Sequence, residues 1–150
     1  MNFSKYNLDD SLGYIMARAS RALGTRLNRN FADAGYDVTC EQWSVLVNLW
    51  QKNGQSQHDL AATTCKDKTS VTRLIDNMEK NNLVVRIPSK EDKRQKLIYL
   101  TKMGKDFRLK LLKIVKQTVK DAQKSIPVKD VGLCKSVLRQ VYENTKLVNV

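Results

Sequence analysis

The chain has 150 residues, 41% of them hydrophobic, and a formal net charge of +12. That length suits one domain with a core of its own, and no apolar run is long enough to cross a bilayer. The N-terminus, MNFSKYNLDD, lacks the basic-then-apolar order of a secretion signal, and Cys40, Cys65 and Cys134 have no paired spacing that would suggest a disulfide framework or a zinc site, so a cytoplasmic protein is expected.

The first predicted element is a long amphipathic helix over 8–31. Leu8, Leu12, Ile15, Met16, Ala19, Leu23, Leu27 and Phe31 recur at three- and four-residue spacing, with Arg18, Arg21, Arg26 and Arg29 on the remainder. Gly35 is a natural stop. Thr39-Cys40-Glu41-Gln42 has the pattern of a capping box and opens a second helix to about Lys52, rich in apolar residues (Trp43, Leu46, Val47, Leu49, Trp50). Asn53-Gly54 marks a turn. Ser56 to Asp59 is another cap signature, starting a short helix to about Thr64 with Leu60 and Ala61 inward.

A helix is predicted over 67–81, with Asp67 as N-cap and Val71, Leu74, Ile75 and Met78 as its apolar stripe. Its other face carries Lys68, Thr69, Thr72, Arg73, Asp76 and Asn77, short hydrogen-bonding side chains and cations suited to reading base edges in a major groove. Asn82 follows at a position that often takes positive φ. Two strands, Leu83 to Ile87 and Lys96 to Leu100, flank a loop from Ser89 to Gln95 that is too charged to be buried, which makes a hairpin. Thr101 can cap a helix running to about Lys124, where Leu112, Val115, Val119, Ala122 and Ile126 form a seam for another helix, from the same chain or from a partner. Pro127 fits the first turn of a last helix, roughly 128–147, with Val131, Cys134, Val137, Leu138, Val141 and Tyr142 apolar.

The charge is unevenly placed. Residues 1–65 hold six Lys/Arg against six Asp/Glu, residues 66–105 eleven against five, and residues 106–150 ten against four. The excess begins where the polar-faced helix and the hairpin begin, which favours nucleic acid as a partner over a merely soluble surface. Lys110, Lys113, Lys116, Lys120 and Lys124 share one side of their helix; this is either a solvated face or an addition to the same electrostatic footprint.

The run TSVTRLIDNMEKNNLVVR, then DKR, then LIYLTKMG resembles the MarR family of winged-helix transcriptional regulators. That family has a Ser/Thr-rich recognition helix ending in Leu-Glu-Lys-Lys-Gly-Leu-Val-x-Arg, an Asp-x-Arg wing and a Leu-Thr-x-x-Gly close. Asp92, Arg94, Leu100, Thr101 and Gly104 fall at its spacing, while Met78 replaces the usual Leu and Asn82 the usual Gly. Val38, Thr39, Gln42, Trp43 and Leu46 match its Leu-Thr-x-x-Gln-Trp-x-x-Leu, and Leu60-Ala61 its Leu-Ala.

The resemblance implies a mainly α fold. A winged helix-turn-helix DNA-binding lobe with a small β-hairpin wing would occupy 39–101, and helices in 1–35 and 103–150 would form a dimerisation lobe, all in one domain. It implies a homodimeric, sequence-specific regulator of transcription, in the main a repressor, on a near-palindromic double-stranded operator. It assigns Lys68, Thr69, Ser70, Thr72 and Arg73 to the major groove, Arg94 to the minor groove and Asp92 to steadying the wing by pairing with Arg94 or Arg86. Lys90, Lys93 and Lys96 become phosphate contacts or solvated charges. Arg73 either grips guanine bidentately or holds a phosphate, and Ser70 either contacts DNA or satisfies the helix's first turn.

The same resemblance implies a small phenolic or carboxylic effector, for which Tyr14, Arg18 and Trp43 are candidate lining residues or plain packing residues. Cys65, beside Lys66 at a helix start, is either a thiol switch or a small buried residue. His58 is expected to be exposed. No phosphate-cradling Gly loop, metal cluster or nucleophile-and-base pairing points to an enzyme, a cofactor or a metal. A winged helix that coats DNA without sequence preference is the competing possibility.

Overall fold

The computed structural model describes residues 5–64 and 67–148. The elements are α1 (Leu12–Asp33), α2 (Cys40–Gln51), β1 (Gln55–Ser56), α3 (Gln57–Thr64), α4 (Lys68–Lys80), β2 (Val84–Pro88), β3 (Lys96–Leu100), α5 (Lys102–Ala122) and α6 (Val128–Thr145). The chain divides into two compact units, Met1–Thr118 and Val119–Val150.

The core of the first unit joins Leu27 and Phe31 of α1, Val45, Leu46 and Leu49 of α2, Leu60 of α3 and the stripe Val71, Leu74, Ile75 and Met78 of α4. Leu83, Val84, Ile98, Leu100 and Leu111 of α5 complete it. Trp43 lies 5.4 Å from Trp50 in an edge-on arrangement and 6.2 Å from Phe31. Edge-on aromatic contacts add to simple area burial.

The predicted caps form as expected. Thr39 and Gln42 make a reciprocal capping box on α2. Gly35 takes φ +87°, and Tyr36 N–H reaches back to Phe31 C=O (2.9 Å), so a left-handed residue closes α1. Asn82 closes α4 in the same way, at φ 59°, with Leu83 N–H on Met78 C=O. Thr101 accepts from Gly104 N–H (3.0 Å) at the start of α5. A Cβ at Gly104 would overlap the Leu83 carbonyl oxygen, so α5 packs at backbone distance on the entry to β2.

Several expectations are corrected. Leu8–Asp10 form a separate 3₁₀ turn capped by Asn7, and Ser11 is extended (φ −80°, ψ 128°), so α1 begins at Leu12 rather than Leu8. The apolar stripe of α1 itself is not overturned: Leu27 and Phe31 are buried in the core, while Leu12, Ile15 and Leu23 are exposed in the single chain. The hairpin is a three-stranded antiparallel sheet in the order β1-β3-β2, because Gln55 and Ser56 pair with Ile98 and Leu97. Ser89 at the base of the charged loop is buried, its N–H bonded to Gln95 C=O (2.8 Å).

On α5 the buried residues are Gly104, Leu111 and Thr118, with Ile114 and Val115 half-buried. Of the expected seam, Val119, Ala122 and Ile126 are exposed in the single chain, where a partner's helix could still meet them, and Ile126 lies past the helix end. Thr118 receives a 2.8 Å bond from the Asn30 side chain, which ties α1 to α5 inside the first unit.

In the second unit, Pro127 is the N-cap of α6 rather than its first helical residue, and the helix ends at Thr145. No residue of α6 is buried, and Val128, Leu133, Val137, Leu138 and Tyr142 are exposed.

Candidate nucleic-acid interface

Helices α3 and α4 form a helix-turn-helix, and the apolar stripe of α4 fixes which side turns outward. Asp67 accepts from Ser70 N–H (2.8 Å) and from Ser70 Oγ–H (2.9 Å). These two bonds to Ser70 favour the ionised carboxylate and hold its pKa below the ordinary 3.8. The Ser70 hydroxyl is thus bonded to the cap carboxylate in the first turn of α4. Lys68, Thr69, Thr72, Arg73 and Asp76 line an open depression of about 410 Å³ on the outer face. Both cations on this face, Lys68 and Arg73, are exposed.

The wing follows from the β2–β3 register, in which Pro88 faces Lys96. Asp92 closes the loop locally: its Oδ1 accepts Arg94 N–H at 3.0 Å, and Gln95 N–H bonds to Asp92 C=O at 3.0 Å. The Arg94 side chain is 96% exposed, with Nε 3.8 Å from Asp92 Oδ1. Asp92 steadies the wing mainly through the backbone, as short polar side chains do in turns. Lys90, Lys93 and Lys96 are exposed around it.

The expected alternative partner of Asp92, Arg86, is engaged elsewhere. Its Nη2 lies 2.7 Å from Asp76 Oδ1 and its Nη1 3.1 Å from Glu79 Oε1. Its Nε donates to Gln57 Oε1 (2.9 Å), and Gln57 Nε2 donates to Thr72 Oγ1 (3.1 Å). This network binds α3, α4 and β2 together, and sequence inspection missed it. The available signals were Asp76 and Glu79 one helical turn apart, and a lone Arg inside an otherwise apolar strand run.

The three candidate effector residues do not converge. Tyr14 and Arg18 contact each other, with the guanidinium 5.6 Å from the ring centroid, and line an open depression of about 650 Å³ whose walls all come from α1. Trp43 lines a different cleft of about 190 Å³ with Val47, Trp50, Gln51, Arg108 and Leu112. Trp43 turns toward the α2–α5 side, where it packs beside Trp50. His58 is exposed on α3 as expected. Cys65 and Lys66 lie outside the described residues. Among the described residues, no group of three or more His, Cys, Asp or Glu is arranged to hold a metal ion, and no helix is long and apolar enough to cross a membrane.

Comparison with known proteins agrees with this architecture. The sequence pattern of the MarR family matches residues 38–96, the segment that runs from α2 through β2 and the wing loop to the first residue of β3. The chain is 30% identical over 105 residues to the HTH-type transcriptional regulator TtmR of Methylorubrum extorquens (strain PA1), covering 70% of this chain and 53% of TtmR. It spans about half the length of the curated relatives it matches first. Among solved structures, a MarR-family transcriptional regulator from Rhodococcus sp. RHA1 superimposes with a TM-score of 0.80 at 25% identity, covering 95% of this chain and all of that one. CouR of Rhodococcus jostii RHA1, bound to p-coumaroyl-CoA, gives 0.78 at 25% identity, covering 97% of this chain and all of CouR. With the capped polar-faced helix, the three-stranded wing sheet and the Asp-x-Arg loop in place, the chain belongs to the MarR family of winged-helix transcriptional regulators.

Proposed function

We propose that this protein is a cytoplasmic, homodimeric regulator that binds a near-palindromic double-stranded DNA site and acts in the main as a repressor released by a small effector. The observation that carries this reading is the exposed face of α4. Lys68, Thr69, Thr72 and Arg73 stand outward on a helix anchored by a buried stripe, with the almost fully exposed Arg94 on the wing. A helix of this kind enters a major groove while a wing arginine reaches the minor groove, where a narrow groove concentrates negative potential. Lys90, Lys93 and Lys96 serve as phosphate contacts, which position the protein without reading sequence.

Dimerisation is supported by exposed large apolar residues on elements outside the winged helix: Leu12, Ile15 and Leu23 on α1, and Leu133, Val137 and Tyr142 on α6. Surfaces of this kind mark protein contacts. The effector is a small aromatic or carboxylic compound. The cleft of Trp43, Trp50 and Leu112 has apolar walls with Arg108 as a cation, and CouR, of the same fold, binds p-coumaroyl-CoA. Both tryptophans of the chain line this cleft, so binding there should change intrinsic fluorescence. An effector lowers DNA affinity only by its preference for the non-binding state.

Selection of bound duplexes from a random library at near-physiological salt tests the reading. A palindrome with half-sites about one duplex turn, roughly 10 bp, apart is the expected outcome. Recovery of no enriched sequence would instead favour non-specific coating of DNA.

A further inference from the structure

The network around Arg86 imposes a direction on every hydrogen bond that follows it. A guanidinium has donors and no acceptor. The Gln57 atom facing Arg86 Nε at 2.9 Å must therefore be the amide oxygen, which leaves the Gln57 NH2 facing Thr72 Oγ1 at 3.1 Å. The hydroxyl must accept from that NH2. Its own proton then goes to the Lys68 carbonyl, 3.0 Å away. A hydroxyl has one proton and two lone pairs. With the proton and one lone pair spent, exposed Thr72 keeps one lone pair to offer outward.

The guanidinium itself is held firmly. Its side chain is 14% exposed, lies between Asp76 and Glu79, and is also within 3.4 Å of the Thr72 carbonyl oxygen. A planar, permanently charged fork fixed at several points is well suited to setting the orientation of a neighbouring amide.

We propose that Thr72, its proton held by the Lys68 carbonyl and one lone pair taken by the Gln57 NH2, reads DNA as a hydrogen-bond acceptor. Thr72 thereby selects a base presenting a major-groove amino group, N6 of adenine or N4 of cytosine, over one presenting a keto oxygen. This inference rests on the DNA-reading role proposed for α4. In the major groove adenine and cytosine offer amino donors, whereas guanine O6 and thymine O4 are acceptors. A hydroxyl with no free proton has nothing to give the latter.

The test measures affinities for the selected duplex and for versions in which single adenines or cytosines lose the amino group or carry a keto group in its place. Wild type should weaken by about three- to tenfold at one position of each half-site, the worth of one ordinary hydrogen bond. Gln57→Ala leaves the bond from the hydroxyl to the Lys68 carbonyl in place, so amino-over-keto discrimination at that position should persist in it. Thr72→Val should abolish it and Thr72→Ser retain it.

Discrimination that survives in Thr72→Val, or a wild type indifferent to every amino group while still preferring its site, overturns the proposal alone. A wild type without any sequence preference overturns the DNA-reading role and this proposal with it.

Discussion

Arg86 Nη2 sits 2.7 Å from Asp76 Oδ1, joining a strand of the wing sheet to the outer face of α4. The same guanidinium reaches Glu79, whose other carboxylate oxygen accepts Arg86 N–H at 3.2 Å. The angle between wing and helix is thus held by charge-assisted bonds rather than by apolar contact alone. Two acidic residues on a helix proposed to face DNA would otherwise repel phosphate, and their pairing with Arg86 offsets that charge.

Arg86→Ala removes the common partner of Asp76, Glu79 and Gln57. Because both carboxylates are about half exposed, solvent recovers part of the loss, and the expected destabilisation is about 1–2 kcal/mol. Urea unfolding should show a lower midpoint with an unchanged slope. A midpoint equal to wild type would mean that the network contributes nothing net.

Arg94→Ala should leave the folded state and the oligomer untouched, since the side chain is 96% exposed. DNA affinity should fall, and the dependence of log affinity on log salt should flatten by about one unit if the lost contact includes a phosphate. Gel-shift titration across several salt concentrations is the measurement. Wild-type affinity on the preferred site would remove Arg94 from the interface.

Arg73→Ala separates the two roles open to that residue. If Arg73 holds a guanine bidentately, discrimination at one base pair should drop by about 1–3 kcal/mol while non-specific binding changes less. Equal losses on preferred and scrambled duplexes would instead assign it to phosphate.

Asp67 gives a pH prediction. Its pKa is lowered in the folded state by the bonds from Ser70, so its stabilising effect is complete above the ordinary carboxylate value of 3.8 and fades as the pH falls through the lower folded-state value. The melting temperature of Asp67→Ala should lie below that of wild type at neutral pH, and the gap should narrow in acid. A gap that widens in acid would contradict the capping assignment.

The parts of the fold legible in the sequence are those fixed by local chemistry. The N-cap of α4, the Thr39–Gln42 capping box and the left-handed Gly35 and Asn82 involve residues a few positions apart. The outward face of α4 was equally readable, because four apolar residues at helical spacing determine the opposite side. What was hidden depends on distant partners or on very short elements. Two polar residues, Gln55 and Ser56, become a strand only because Ile98 and Leu97 are there to pair with them. Leu8 keeps helical spacing with Leu12, yet Asn7 caps a separate turn and Ser11 extends. Gln57 and Arg86 are 29 residues apart, and nothing local announces their bond. Trp43 was grouped with Tyr14 and Arg18, but packing puts it in another cleft.

The central claim is sequence-preferring DNA binding by the α4 face and the wing. Its most direct test is the ratio of affinities for the selected duplex and a scrambled duplex of equal length, measured with the wild-type protein at about 0.15 M salt. A ratio of about 10³ or more is predicted. Equal affinities that collapse together as salt rises would leave only the basic charge of the chain at work and would contradict the account.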